Sequence, residues 1–68
     1  MKRTDLLGKI SKAAANAGIR FDLVREGGSH TIYRYGSQNV VIPRHREINE
    51  QTARGILRSL GIRDEGNR

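Results

Sequence analysis

The apolar positions of this chain keep one period in the first third, change it in the middle and return to the first near the end. Leu6, Leu7, Ile10, Ala14 and Ala17 recur at spacings of three and four, with Lys9, Lys12 and Asn16 between them. That spacing makes one apolar stripe along a helix. Thr4 is the expected N-cap, Asp5 complements the dipole in the first turn, and Gly18 followed by Ile19 forms a glycine C-cap with a hydrophobic follower. The helix is therefore expected over about residues 5–17.

From Ile19 the period falls to two: Ile19, Phe21 and Leu23 alternate with Arg20 and Asp22, as in a half-buried strand. Glu26-Gly27-Gly28 interrupts it. A second strand, rich in β-branched and aromatic residues, is expected over residues 29–35, and a third over 39–42 after a turn at Gly36-Ser37. Pro43 ends the third, having no N–H to continue a ladder. Helical spacing then returns with Ala53, Ile56, Leu57 and Leu60, where Asn49 is the expected N-cap, Glu50 suits the first turn and Gly61 is the stop. Gly55 inside that helix costs about 1 kcal/mol relative to alanine, which implies either close packing or a tolerated weakness. Residues 62–68 are expected to form a flexible tail.

The order helix, strand, strand, strand, helix predicts an α+β fold. A three-stranded antiparallel meander with both helices on one face would bury every apolar stripe and leave the other face open to solvent, where a ligand could be met. A chain of 68 residues is expected to make a single domain, residues 1–68.

Charge narrows the partners. Thirteen Lys and Arg against seven Asp and Glu give a net charge of +6 and an isoelectric point near 10.8, so phosphate polymers are the first class to consider. An anionic membrane surface or an acidic protein would feel the same field. The apolar runs are only a few residues long, so no membrane segment or signal peptide is expected. Without cysteine there is neither a disulfide framework nor a thiolate metal site. No cofactor or metal is expected, since the chain lacks a phosphate-binding glycine loop with Lys-Ser/Thr, a metal-spaced His/Asp/Glu cluster and a Gly-x-Ser-x-Gly elbow.

Imidazole chemistry near neutral pH has two sources, His30 and His45. In "GGSHTIYRYG", Gly27 and Gly28 would allow positive φ and close approach, and Ser29 with the first amides of the strand could donate to a phosphate oxygen. His30 could then exchange the proton that RNA transesterification requires, with no metal. The competing reading makes His30 the polar first residue of a strand after a hairpin turn, and on spacing alone that reading leads. His45 lies in "PRHRE" between Arg44 and Arg46, a basic loop that could clamp an RNA backbone and offer His30 a proton partner. Arg34 on the second strand, Lys9 and Lys12 on the first helix, and Arg54 and Arg58 one turn apart on the second could hold phosphate, an acidic partner or only water. Tyr33 and Tyr35 share a strand face and suit core packing better than base stacking.

Residues 27–62 also resemble a known family. Gly28-Ser29-His30 entering a strand with Ile32-Tyr33-Arg34, then Val41-Ile42-Pro43-Arg44-His45, Glu47-Ile48, Thr52, Ile56-Leu57-Arg58 and Gly61-Ile62, together resemble the HicA family of bacterial toxins. The resemblance implies a double-stranded-RNA-binding-domain-like α-β-β-β-α fold and a metal-independent endoribonuclease that cleaves mRNA in the bacterial cytoplasm. It also implies His30 as the catalytic residue and a HicB-like antitoxin as partner. Gly28, Ser29, Arg34, Arg44, His45, Arg46, Lys9 and Lys12 are then the expected RNA contacts, and His30, Arg54 and Arg58 the expected antitoxin contacts. Here Thr31 stands where many members carry a second histidine, and Glu50-Gln51 where they often have proline and glycine. A non-catalytic RNA-binding module and a protein-interaction domain are the alternatives that charge and fold class also allow.

Overall fold

In the computed structural model, which describes residues 1–62, the elements run α1 (Arg3–Ala17), β1 (Phe21–Glu26), β2 (His30–Tyr35), β3 (Gln38–Pro43) and α2 (Glu50–Ser59). The strands form one antiparallel sheet in the order β1-β2-β3. Leu6, Ile10 and Ala14 of α1 and Ala53 and Leu57 of α2 close over Tyr35, Val40 and Ile42 of the sheet, with Ile48 from the β3–α2 loop completing the core. Both helices thus cover one sheet face and the other stays open, as the α+β reading anticipates.

The start of α1 differs from expectation. The helix begins at Arg3, and Thr4 lies inside its first turn rather than capping it. Lys2 holds the cap position without a side-chain bond, because an isolated bridge between Lys2 and Glu47 brings the Arg46 carbonyl to accept from Arg3 N at 2.9 Å. A tertiary contact has replaced the local cap. At the other end Gly18, with φ of 70°, donates to the carbonyls of Ala14 and Ala15, as a glycine stop requires.

The same bridge holds the chain's first residue. The Met1 α-ammonium donates to Glu47 Oε2 at 3.1 Å and to the Ile48 carbonyl at 3.0 Å, and Glu50 Oε2 lies 3.3 Å away. The hydrogen bond to Glu47, and less strongly that to Glu50 and the charges of both carboxylates, raise the ammonium's pKa above its usual value near 8, against an opposing effect of desolvation. A raised folded-state pKa stabilises fully below the unfolded value and is lost as pH climbs through the folded one. The urea midpoint should accordingly decline as pH rises above about 8, and Glu47→Gln should show a shallower decline.

Strand β1 starts at Phe21, with Ile19 packing from the connection, and it carries a bulge. Leu23 faces Tyr33 but Arg25 faces Ile32, so Val24 is the extra residue. The expectation that every apolar stripe is buried fails here. Leu23 is 54% and Val24 51% exposed, because β1 is an edge strand that the helices cover only near Phe21. Phe21 stacks on Tyr33 with ring centroids 4.9 Å apart and meets Tyr35 edge-on at 6.3 Å, which puts both tyrosines on the core side.

The β2–β3 turn is Gly36-Ser37, with Gly36 at φ 65° as a two-residue type II′ hairpin demands. Pro43 is the last residue of β3, an edge strand where a missing N–H leaves no ladder bond open. In α2 the expected cap forms: Asn49 accepts from Gln51 N at 2.8 Å. A Cβ at Gly55 would meet nothing within 4 Å, so Gly55 is a tolerated weakness rather than a packing device. Gly55→Ala should raise stability by about 1 kcal/mol in urea unfolding. Of the expected flexible tail, Ile62 instead packs against the core and donates its N–H to the Leu57 carbonyl at 2.9 Å; residues 63–68 lie outside the described residues.

Candidate functional site

Strand parity sorts the candidates. Thr31, Tyr33 and Tyr35 point to the helices, so His30, Ile32 and Arg34 point to the open face. His30 is exposed at the head of the central strand, paired across the ladder with Pro43. Its Nδ1 lies 3.2 Å from Ser29 Oγ. Thr31 is fully buried on the opposite side and accepts from Arg3 Nη2 at 3.2 Å. A side chain at position 31 therefore belongs to the core face and cannot share a site with His30.

The turn before His30 is built differently from the expectation of positive φ. Among the described residues the positive-φ glycines are Gly18, Gly36 and Gly61, and neither Gly27 nor Gly28 is one of them. What glycine permits at position 27 is proximity. Its N–H donates to the His30 carbonyl at 2.8 Å, and an added Cβ would lie 3.1 Å from that same oxygen. Arg44 fastens the turn from outside: its Nη1 donates to the Gly27 carbonyl at 3.0 Å and its backbone N–H to the Ser29 carbonyl at 3.1 Å. One edge of the guanidinium is thereby committed to structure while its remaining donors stay available.

The clasp joins a residue of one depression to a residue of another, since Gly27 lines the first and Arg44 the second. One, of about 380 Å³, is lined by Arg25, Gly27, Gly28, Ser29, His30, Ile32 and Val41. The other, of about 730 Å³, is lined by Lys2, Arg3, Thr4, Arg44, Arg46 and Glu47. Four cations against one carboxylate make the second strongly positive. Arg3 contributes there while also donating through Nε to the Pro43 carbonyl at 3.0 Å.

The structure brings together His30, Gly28 and Ser29, ties Arg44 to their turn, places Arg46 with Arg44 in the second depression, and puts Arg34 on the same sheet face as His30, about 13 Å further along the strand. It does not bring the rest. His45 is exposed in the loop and lines neither depression, so it is not placed as a partner to His30. Lys9, Lys12, Arg54 and Arg58 sit on the helix layer, behind the sheet. His30 therefore lies on a different layer from Arg54 and Arg58, the other two expected antitoxin contacts.

Sequence reasoning missed Lys2, Arg3, Arg25 and Val41. The first two reach the basic groove only because the Lys2–Glu47 bridge ties the ends of the fold together. Arg25 is of odd number, like core-facing Phe21 and Leu23, and only the bulge turns it to the open face.

Among the described residues no three His, Asp or Glu side chains converge as a metal site, and no helix is long and apolar enough to cross a membrane. In comparison with known proteins, the family model described as the HicA toxin of bacterial toxin–antitoxin systems aligns with residues 9–62. No curated protein and no solved structure matches the chain.

Proposed function

We propose that this chain, which belongs to the HicA toxin family, is a metal-independent endoribonuclease acting on mRNA in the bacterial cytoplasm. The observation that carries the reading is His30, exposed on the open sheet face in a depression whose glycine turn is clasped by Arg44, which with Lys2, Arg3 and Arg46 lines a second, basic depression. In the tautomer whose Nδ1–H donates to Ser29 Oγ, Nε2 carries the free lone pair. It takes the proton of a ribose 2′-hydroxyl, O2′ attacks the adjacent phosphorus, and the 5′-oxygen of the next nucleotide leaves, taking up a proton from water. The products are a 2′,3′-cyclic phosphate and a 5′-hydroxyl. The basic groove neutralises the phosphates on either side of the reacting one.

Incubation of the purified protein with an RNA transcript in EDTA tests this. Cleavage leaving cyclic-phosphate ends, blocked by a 2′-deoxy sugar at the cut position, is expected. A folded protein that leaves RNA intact, or that cuts the deoxy substrate equally well, overturns the reading.

Arg44 in this reading both positions the turn and meets phosphate. Arg44→Lys keeps the charge but loses the fork that reaches Gly27, so kcat should fall roughly tenfold with little change in KM. Arg44→Ala should change both. A family of toxin–antitoxin systems implies an antitoxin partner. A HicB-like protein lying over the open face would occlude His30, and the purified complex should not cleave RNA.

A further inference from the structure

The open face is organised in cross-strand rows. His30 pairs with Pro43; the next row is Arg25, Ile32 and Val41, partners in turn across all three strands; the third is Asp22, Arg34 and Asn39. The middle row is apolar at its centre. Ile32 is half-buried and Val41 50% exposed, while Arg25, exposed at one end of the row, lines the same depression. Isolated apolar residues on a surface are ordinary. Two β-branched side chains abreast, flanked by a guanidinium and within the same depression as an imidazole, form a small platform.

We propose that this row seats one unpaired nucleobase next to the reacting phosphate, so that the protein acts on single-stranded RNA. The inference rests on the ribonuclease reading above. Ile32 follows His30 by two residues on one face, which places the platform about 6.6 Å from the His30 position along the strand, within reach of the base of the nucleotide being cut. A flat base covers the Ile32 and Val41 methyl groups, and a guanidinium such as that of Arg25 stacks on a base plane or holds its phosphate. Duplex RNA offers no such plane, because its bases are already stacked and paired. Charge selects the same occupant: a +6 chain with Arg25 and Arg34 on this face attracts a phosphate-bearing strand.

The test combines binding and kinetics. Binding of a fluorescent single-stranded RNA oligonucleotide is measured by anisotropy with His30→Ala as the background, and cleavage of the same sequence with His30 intact. Val41→Ser and Arg25→Ala should each weaken binding by about five- to a hundredfold, with the larger kinetic change in KM. Val41→Thr, which keeps the β-branched shape, guards against a strand defect and should fall between. An abasic nucleotide beside the cut position should reproduce the loss and add little to Val41→Ser. Fully paired RNA should be cut at least about tenfold more slowly than the single strand. Equal KM for abasic and intact RNA, or equal cleavage of duplex and single strand, overturns the proposal. So does a Val41→Ser variant that loses only antitoxin binding, which would assign the row to protein contact. Absence of cleavage by the unmutated protein overturns the ribonuclease reading instead, and the anisotropy series still decides the base seat.

Discussion

His30→Ala should lose about 10²- to 10⁴-fold in the rate of RNA cleavage, the range that removal of one positioned proton-transfer group produces, with no measurable loss of stability. Both halves of that expectation come from its position. His30 is exposed, its ring has a polar contact with Ser29 Oγ on the neighbouring residue, and the turn is held through its backbone carbonyl, which alanine keeps. Circular dichroism and thermal melts should match the unmutated protein while cleavage of a labelled RNA collapses. Binding of the same RNA should persist, since the groove of Lys2, Arg3, Arg44 and Arg46 is untouched. Unchanged cleavage by this variant would remove His30 from the reaction.

Ile42→Ala should act in the opposite way, destroying activity by unfolding the chain. Ile42 is fully buried, opposite Thr31 in the β2–β3 ladder. Truncating such a side chain costs about 2–5 kcal/mol through lost transfer energy and the cavity left behind. A single core in a chain of this size supplies only about 3–5 kcal/mol of net stability. Urea unfolding of Ile42→Ala should therefore show no folded baseline, or a midpoint near zero denaturant, whereas Ile42→Val should cost about 0.5–1.5 kcal/mol and remain folded. The two substitutions separate the faces of one sheet: position 42 lies in the buried core, and position 30 is where the proposed chemistry sits.

The fold was legible because each element announces itself locally. Leu6, Ile10 and Ala14 on one helix and Ala53 and Leu57 on the other are core residues that the 3.6-residue period picks out. Asn49, Gly18 and Gly36 mark boundaries by chemistry that acts over two to four residues. Where a boundary was misjudged, a distant contact had supplied what the local rule expected: Arg3 needed no cap from Thr4 because the Arg46 carbonyl already met its N–H. Of the candidate site, His30, Ser29 and Gly28 stood out as a motif. The lysines and arginines could not be sorted from sequence, since a charged residue carries no mark of which layer it faces.

By itself the sequence determined the α-β-β-β-α order, the positive field and the histidine at the head of the central strand, all set by periods, caps and composition within short windows. Only the tertiary structure decided how the cations are grouped, Arg25 beside that histidine and the others around Arg44, which clasps its turn. One bulge at Val24 brings Arg25 to the open face, one short bridge carries Lys2 and Arg3 to the loop of Arg44 and Arg46, and burial of Thr31 reserves position 30 alone for the site. Register and pairing between distant segments are settled by which arrangement satisfies backbone hydrogen bonds and buries the apolar faces together, and no local pattern of residues encodes that choice.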